Sequence, residues 1–171
     1  MEEELVDVYD ENKNITGKII KRTDINLLKE NEYIITVHCF IINSHNQILL
    51  TQRSLNKKRA GKWEDTHGGL QSGESSVFGI QRELKEEIGI DIQINELKFI
   101  KTLRKKNKFR DIYIIKKDIP LDDFKCNAEE VMNCKYVTLE EFKTMIENNQ
   151  CTFKSFEDTI FYDSDIKKLL I

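Results

Sequence analysis

The chain has little proline and glycine, with one proline and seven glycines among 171 residues. Hydrophobic residues at 39% and charged residues at 33% are the proportions of a globular protein, which excludes a disordered or fibrous one. This length supplies one hydrophobic core but too little chain for a second full domain. We therefore expect a single domain spanning residues 1–171.

Long apolar runs are also missing, and the longest, around Ile34–Ile42, has the length of a strand rather than of a membrane span. The N-terminal segment MEEELVDVYDENK is acidic and lacks the basic flank and apolar run of a secretory signal. The net charge of −3 argues against a general nucleic-acid or anionic-membrane binder. We expect a cytoplasmic protein with no membrane partner and no stable nucleic-acid partner.

The four cysteines form no CxxC pair and no zinc-finger spacing, which argues against a structural zinc site. They are Cys39, Cys126, Cys134 and Cys151. We interpret them as reduced, mostly structural thiols.

Alternating and β-branched runs predict strands, and a longer period predicts helices. The predicted strands are Leu5–Tyr9 and Ile15–Lys21, which form an N-terminal hairpin within residues 1–22, then Tyr33–Asn43, Ile48–Gln52, Ile92–Leu103, Phe109–Lys117 and Val131–Val137. The predicted helices are Ser75–Ile88, a second from the capping box of Thr138 and Glu141 to about Asn148, and a short one after Ser164. Strands around one central helix indicate an α+β fold or an α/β/α sandwich.

The first helix carries three carboxylates on one face, because Glu83, Glu86 and Glu87 are spaced i, i+3 and i+4. Like charges at these spacings destabilise a bare helix by about 0.2–0.5 kcal/mol per pair. A bound cation would offset that repulsion, and oxygen-only ligands favour Mg²⁺ or Mn²⁺. The adjacent arc is apolar and is predicted to face the core through Val77, Ile80, Leu84 and Ile88.

A longer pattern surrounds these carboxylates and resembles the Nudix box, G-x5-E-x7-R-E-U-x-E-E-x-G-U with U aliphatic. Its positions are filled by Gly68, Glu74, Arg82, Glu83, Leu84, Glu86, Glu87, Gly89 and Ile90. Each residue alone has an ordinary explanation, such as a solvated helix face for a glutamate or an i,i+4 pair between Arg82 and Glu86. Those explanations leave the complete pattern unexplained, so we prefer a functional site over residues 68–90.

The resemblance implies a Nudix-type α/β/α sandwich with a mixed sheet over residues 33–150, in addition to the hairpin. It also implies hydrolysis of a nucleoside diphosphate linked to another moiety, with Mg²⁺ or Mn²⁺. Carried over by position, Glu83, Glu86 and Glu87 would bind the metal, and Gly68 would offer it a backbone carbonyl. Glu74 would support the site through water, and Arg82 would orient a glutamate.

The identity of the general base stays open in the sequence, because Nudix proteins use either a box glutamate or an acid from a later loop. Glu83 is the first choice. Glu130 is the leading outside acid, with Glu129 next.

Segments beyond the box resemble the Nudix branch that includes isopentenyl-diphosphate isomerase, among them VDVYDENKNITGKIIKR, ILLTQRSLNKKRAGKWEDTHGG and AEEVMNCKYVTLEEF. In that isomerase a catalytic cysteine lies five residues after the tryptophan, and counting from Trp63 that position is Gly68 here. The resemblance implies that Arg53 and Lys57 or Lys58 hold the diphosphate. The missing cysteine and the intact glutamates favour hydrolysis over isomerisation.

Three alternatives remain beside a hydrolase of small nucleoside-diphosphate substrates. One is a catalytically silent Nudix-fold module that binds or regulates, another is an isomerase-like enzyme, and the third is an RNA 5′-end pyrophosphohydrolase. No second motif names the substrate. A homodimer is a further possibility, because the N-terminal hairpin could reach a neighbouring copy. Trp63 is interpreted as a core residue and His67 as a structural histidine.

Overall fold

The computed structural model describes residues 3–163, and within them nine strands and two α-helices follow an α+β order, with six strands before the first helix and three between the helices. The strands are β1 (Leu5–Tyr9), β2 (Ile15–Lys21), β3 (Ile34–Ile42), β4 (Ile48–Arg53), β5 (Trp63–Glu64), β6 (Thr66–Gly69), β7 (Lys98–Lys105), β8 (Lys108–Lys116) and β9 (Val131–Val137). The helices are α1 (Ser76–Ile88) and α2 (Leu139–Glu147). Four short 3-10 turns connect them at Arg22–Leu27, Ile94–Glu96, Leu121–Asp123 and Phe156–Asp158.

The first of two compact units comprises residues 3–39, 67–84 and 91–114. Its β1 and β2 pair antiparallel with Val6 opposite Ile20, and the register shifts between Asp7 and Tyr9. Its larger sheet pairs β6 with β3, β3 with β8, and β8 with β7. Every residue of β3 is buried, as the run of β-branched residues predicts for a strand covered on both faces.

The second unit comprises residues 40–66, 85–90 and 115–163. Its β4 pairs antiparallel with β9, with Ile48 opposite Val137, and also with β5, with Thr51 opposite Glu64. Helix α2 begins at the predicted capping box. There the Thr138 hydroxyl accepts from the Glu141 N–H, and the Glu141 carboxylate accepts from the Thr138 N–H. Aromatic rings fill the core of this unit: Phe40, Phe142 and Phe161 are fully buried.

The predicted α+β class with a mixed sheet and an N-terminal antiparallel hairpin is confirmed. Both strands of the hairpin, strand Val131–Val137 and the end of α1 at Ile88 have the predicted bounds. The single-domain organisation stays a prediction, and the predicted helix after Ser164 lies outside the described residues. No helix within residues 3–163 is long and apolar enough to cross a membrane.

The prediction of one strand over Ile92–Leu103 is wrong. A 3-10 turn occupies Ile94–Glu96, where the Glu96 carboxylate accepts from the Gln93 N–H at 2.9 Å, and β7 begins only at Lys98. That local cap competes with the extended conformation that the apolar spacing favoured. On α1, Val77 is only half-buried, whereas the other three residues of the predicted arc are fully buried.

Gly89 ends α1 in the left-handed conformation, with φ of 71°. A Cβ atom there would lie 2.7 Å from the Lys125 Cβ and 2.9 Å from the Lys125 carbonyl oxygen. Gly61 has a similar φ of 73°, but a Cβ there would meet no heavy atom of the described residues within 4 Å. Alanine substitution at Gly61 therefore measures backbone strain alone, whereas substitution at Gly89 adds steric overlap.

We expect Gly61→Ala to lower the free energy of unfolding by about 1–2 kcal/mol, the strain of a left-handed alanine. Gly89→Ala should lower it by about 1–3 kcal/mol more, because the added methyl group must displace backbone of the Lys125 segment. Urea unfolding followed by circular dichroism measures both. Equal losses in the two variants would contradict the contact with Lys125.

Candidate functional site

The Arg82 guanidinium joins three segments of the first unit. Its Nε and Nη2 donate to the two carboxylate oxygens of Glu74 at 2.9 and 3.0 Å, a bidentate pair. Nη1 donates to Glu83 Oε1 at 2.8 Å, and Nη2 also donates to the Gly69 carbonyl at 2.9 Å. We call these four residues the Arg82 cluster. The fork of a guanidinium suits this planar, multiple pairing, which an ammonium could not reproduce.

The Arg82 cluster is largely withdrawn from solvent: its charged side chains are between 11% and 20% exposed. Burial, the largest single influence, lowers the pKa of Arg82, but the hydrogen bonds to Glu74 and the charge of Glu83 outweigh it and hold the pKa above its usual value. The guanidinium therefore stays charged between two carboxylates. Two negative charges against one positive charge leave this cluster attractive to a further cation.

Glu83 lies against the backbone of Gly68. A Cβ atom at position 68 would overlap the Glu83 carboxylate, so a larger residue there would require the end of the Glu83 side chain to shift. Glu83 is buried, with 9% of its surface exposed, and Gly68 is buried as well. Carboxylate oxygens are the ligands that Mg²⁺ and Mn²⁺ prefer, so the residues at this position fit a hard divalent cation.

Glu86 and Glu87 lie on the last turn of α1, on the same helix as Glu83 and in the predicted i, i+3, i+4 spacing. Glu86 is exposed, and Glu87 is half-buried. The Glu87 carbonyl accepts from the Asn127 N–H at 2.9 Å, so the loop after Asp123 holds the end of the helix. The metal-binding role of these glutamates stays a prediction.

In the second unit, the predicted phosphate-binding residues lie in a loop already rich in ion pairs. Arg53 Nη1 donates to Glu64 Oε1 at 2.5 Å, and Arg53 Nε donates to the Lys58 carbonyl at 2.7 Å. Lys57 pairs with Glu130 through its ammonium group. The structure thus brings a predicted phosphate ligand and the predicted outside base into direct contact.

Sequence reasoning missed Glu64, which is buried and pairs with Arg53. The available signal was weak: β5 is two residues long, and an acidic residue beside Trp63 is typical of an exposed turn. Ser54 is a second omission. Its hydroxyl donates to the Glu129 carbonyl at 2.6 Å, and its N–H donates to the Glu130 carbonyl at 2.9 Å, which fixes both acids against the loop.

The structure places the remaining candidates in packed surroundings. The imidazoles of His38 and His67 stack with centroids 4.7 Å apart and planes at 6°. The Lys135 ammonium lies 4.3 Å above the Trp63 ring, so that one face of the indole is already covered. This covered face favours the structural interpretation of Trp63.

All four cysteines are free thiols, as expected. The Sγ atoms of Cys126 and Cys134 lie 3.0 Å apart. Burial raises the pKa of Cys134 above its usual range and that of Cys151 to about 12. These two thiols are therefore poor nucleophiles near neutral pH.

Comparison with known proteins gives a consistent match. A sequence model described as the NUDIX domain matches residues 32–156. An uncharacterized Nudix hydrolase of Listeria monocytogenes is 30% identical over 141 residues, covering 81% of this chain and 82% of that protein. Isopentenyl-diphosphate Delta-isomerase 1 of Photorhabdus laumondii is 27% identical over 162 residues, covering 87% of this chain and 89% of that protein.

Among solved structures, the protein DR0079 of Deinococcus radiodurans superimposes with a TM-score of 0.73 at 22% sequence identity. The alignment covers 98% of this chain and 97% of that one. At this identity the likeness establishes the fold.

The Arg82 cluster predicts that Arg82→Lys destabilises the protein by about 1–3 kcal/mol, because an ammonium cannot replace all the hydrogen bonds that the guanidinium donates to Glu74 and Glu83. Arg59→Lys is the matched control. Arg59 is exposed, and its Nη1 donates to the Thr152 carbonyl at 2.7 Å, so the loss on its replacement should stay below about 1 kcal/mol. Urea unfolding measures both variants, and similar losses would contradict a special role for the guanidinium fork.

Proposed function

Because the chain belongs to the NUDIX domain family, we propose that it hydrolyses a pyrophosphate bond in a nucleoside diphosphate linked to another moiety, with Mg²⁺ or Mn²⁺ as cofactor. The domain match and the Nudix hydrolase relatives support a pyrophosphohydrolase. The observation that carries the proposal for this chain is the Arg82 cluster, in which a charged guanidinium fixes Glu83 against Gly68.

We assign the metal to the carboxylates of Glu83, Glu86 and Glu87 and to the Gly68 carbonyl, with Glu74 as a support through water. When bound, the cation would neutralise charge on phosphate oxygens and lower the pKa of a coordinated water. Arg82 Nη1 donates to Glu83 Oε1, and this hydrogen bond would orient the carboxylate toward a bound metal.

Hydrolysis requires a base that takes a proton from water while the water oxygen bonds to phosphorus. The bridging P–O bond then breaks, and its electron pair leaves with the departing phosphate. Glu83 is our first choice for this base, because its carboxylate is held in one position by Arg82. Glu130 is the second choice, but it must first release Lys57.

Arg53, Lys57 and Lys58 are our candidates for binding substrate phosphates. Lys58 is exposed, whereas Arg53 is 20% exposed and already pairs with the buried Glu64. We therefore assign direct phosphate contact first to Lys58 and Lys57. Arg53 would set the shape of the loop through its bond to the Lys58 carbonyl.

A second candidate function is isomerisation of an allylic diphosphate, which the similarity to the Photorhabdus laumondii isomerase favours. Glycine at position 68 argues against it, because the cysteine implied there by the resemblance is missing. A catalytically silent binding module is the other alternative, and the complete set of glutamates argues against that. A cytoplasmic location and a homodimer stay predictions.

The decisive experiment incubates the purified protein and Mg²⁺ or Mn²⁺ with nucleotides, nucleotide sugars, dinucleoside polyphosphates and isopentenyl diphosphate. Mass spectrometry detects the products. We expect release of phosphate or a mononucleotide from at least one nucleotide substrate and an unchanged isopentenyl diphosphate. Conversion of isopentenyl diphosphate to its isomer would overturn the proposal. So would the absence of any hydrolysis product from all of these compounds when metal is bound.

On a substrate so identified, Glu86→Gln should lower kcat by about a hundredfold or more and weaken Mn²⁺ binding, because a neutral amide replaces a charged ligand. The control is Glu140→Gln, an exposed acid on α2, which should leave both quantities unchanged. Calorimetric titration measures the affinity. Normal turnover by Glu86→Gln would exclude this glutamate from the metal set.

The choice of base gives a separate prediction. Glu83→Gln should lower kcat by about 10²–10⁴-fold, and Glu130→Gln by much less, if Glu83 takes the proton. Because Glu83 is also a proposed metal ligand, both variants are assayed at saturating Mn²⁺, where a loss of affinity alone disappears. A larger loss in Glu130→Gln than in Glu83→Gln would reverse the assignment.

A further inference from the structure

The N-terminal hairpin lies before residue 32, where the family match begins, yet its first strand contacts the loop that precedes α1. The side chain of Asp7 makes two of the hydrogen bonds in this contact. Its Oδ1 accepts from the Ser72 hydroxyl at 2.7 Å, and its Oδ2 accepts from the Gly73 N–H at 2.8 Å. The neighbouring Leu5 carbonyl accepts from the Ser72 N–H at 2.9 Å. All of these residues belong to the first unit.

Asp7 is buried, with 7% of its surface exposed. A buried carboxylate that accepts two hydrogen bonds with good geometry resists displacement, because breaking either bond leaves a charged oxygen poorly solvated. Gly73 has φ of 77°, a conformation that glycine adopts without strain. Asp7 therefore holds Gly73 in one of the several backbone conformations that a glycine can adopt.

The turn fixed in this way is the one that presents Glu74. The Glu74 N–H donates to the Gln71 carbonyl at 3.1 Å, and the Gln71 N–H donates to Glu74 Oε2 at 3.1 Å, so that the turn closes on itself. Both oxygens of Glu74 then bind Arg82. Hydrogen bonds, together with the backbone of residues 71–74, therefore join β1 to the Arg82 cluster.

We propose that Asp7 is a positioning residue for the metal site: by fixing Ser72 and Gly73 it holds Glu74 on Arg82, and through Arg82 it holds the carboxylate of Glu83. This inference rests on the proposed function for its link to catalysis. Its direct consequence, a dependence of cation affinity on Asp7, can be measured without turnover.

The test compares the Mn²⁺ affinity of Asp7→Ala, Asp7→Asn and Ser72→Ala with that of the wild-type protein, by calorimetric titration at a temperature where circular dichroism shows each variant folded. Removal of a group that acts through a metal ligand typically lowers affinity 10–100-fold. We expect about tenfold for Asp7→Ala. Losses for Asp7→Asn and Ser72→Ala should be smaller, because each retains at least one of the two hydrogen bonds.

Lys13→Met is the matched control. Lys13 lies at the turn of the same hairpin, and its ammonium pairs with the buried Asp111 at 2.5 Å. Its replacement removes another attachment of the hairpin without touching Ser72 or Gly73. If the hairpin only stabilises the fold, Lys13→Met and Asp7→Ala should both lower the melting temperature and neither should change Mn²⁺ affinity.

The outcomes separate this inference from the proposed function. Wild-type affinity in folded Asp7→Ala would overturn the positioning role, whatever the wild-type protein hydrolyses. If Asp7→Ala does not fold, unchanged affinity in both Asp7→Asn and Ser72→Ala would overturn it equally. A weaker affinity in these variants, together with no hydrolysis by the wild type, would keep the positioning role and reject the reaction. Absence of Mn²⁺ binding by the wild type would contradict both.

Discussion

The hydrogen bonds of the Arg82 guanidinium hold together the residues of the Arg82 cluster. Three acceptors from different segments, the Glu74 carboxylate, the Glu83 carboxylate and the Gly69 carbonyl, share one planar cation. Because the donors are fixed in a plane, a movement of one acceptor misaligns the others. The loop before α1, the end of β6 and the helix itself are therefore positioned together, and the repulsion between Glu74 and Glu83 is offset inside the protein.

Local patterns carried most of what could be predicted from the sequence. Alternation gave the bounds of the hairpin, and the capping box of Thr138 and Glu141 gave the start of α2. The acidic face of α1 followed from its period alone. The 3-10 turn at Ile94–Glu96 was not predicted, because a turn with its own cap can have the same apolar spacing as a strand. The choice between the turn and a strand depends on hydrogen bonds of the local cap, which the spacing of apolar residues does not reveal.

The pairing of charged residues could not be predicted from the sequence for a different reason. The pair Lys57–Glu130 joins segments far apart in the chain, the pair Arg53–Glu64 joins two neighbouring strands, and a charged loop offers many equivalent pairings before it folds. Once formed, these pairs change the interpretation of the basic loop. Cations that are already neutralised attract phosphate less than free ones do, so an anion must compete with Glu64 for Arg53 and with Glu130 for Lys57.

The glycine at position 68 separates two chemistries within one fold. Glu83 occupies the space that any side chain at position 68 would need, so a cysteine there could not coexist with Glu83 in its present place. An enzyme that places a reactive thiol at this position must move or replace the glutamate. One that keeps the glutamate against the backbone must keep the glycine. The missing cysteine at position 68 and the position of Glu83 are therefore linked by one contact, which agrees with the Nudix hydrolase relatives rather than with isomerisation.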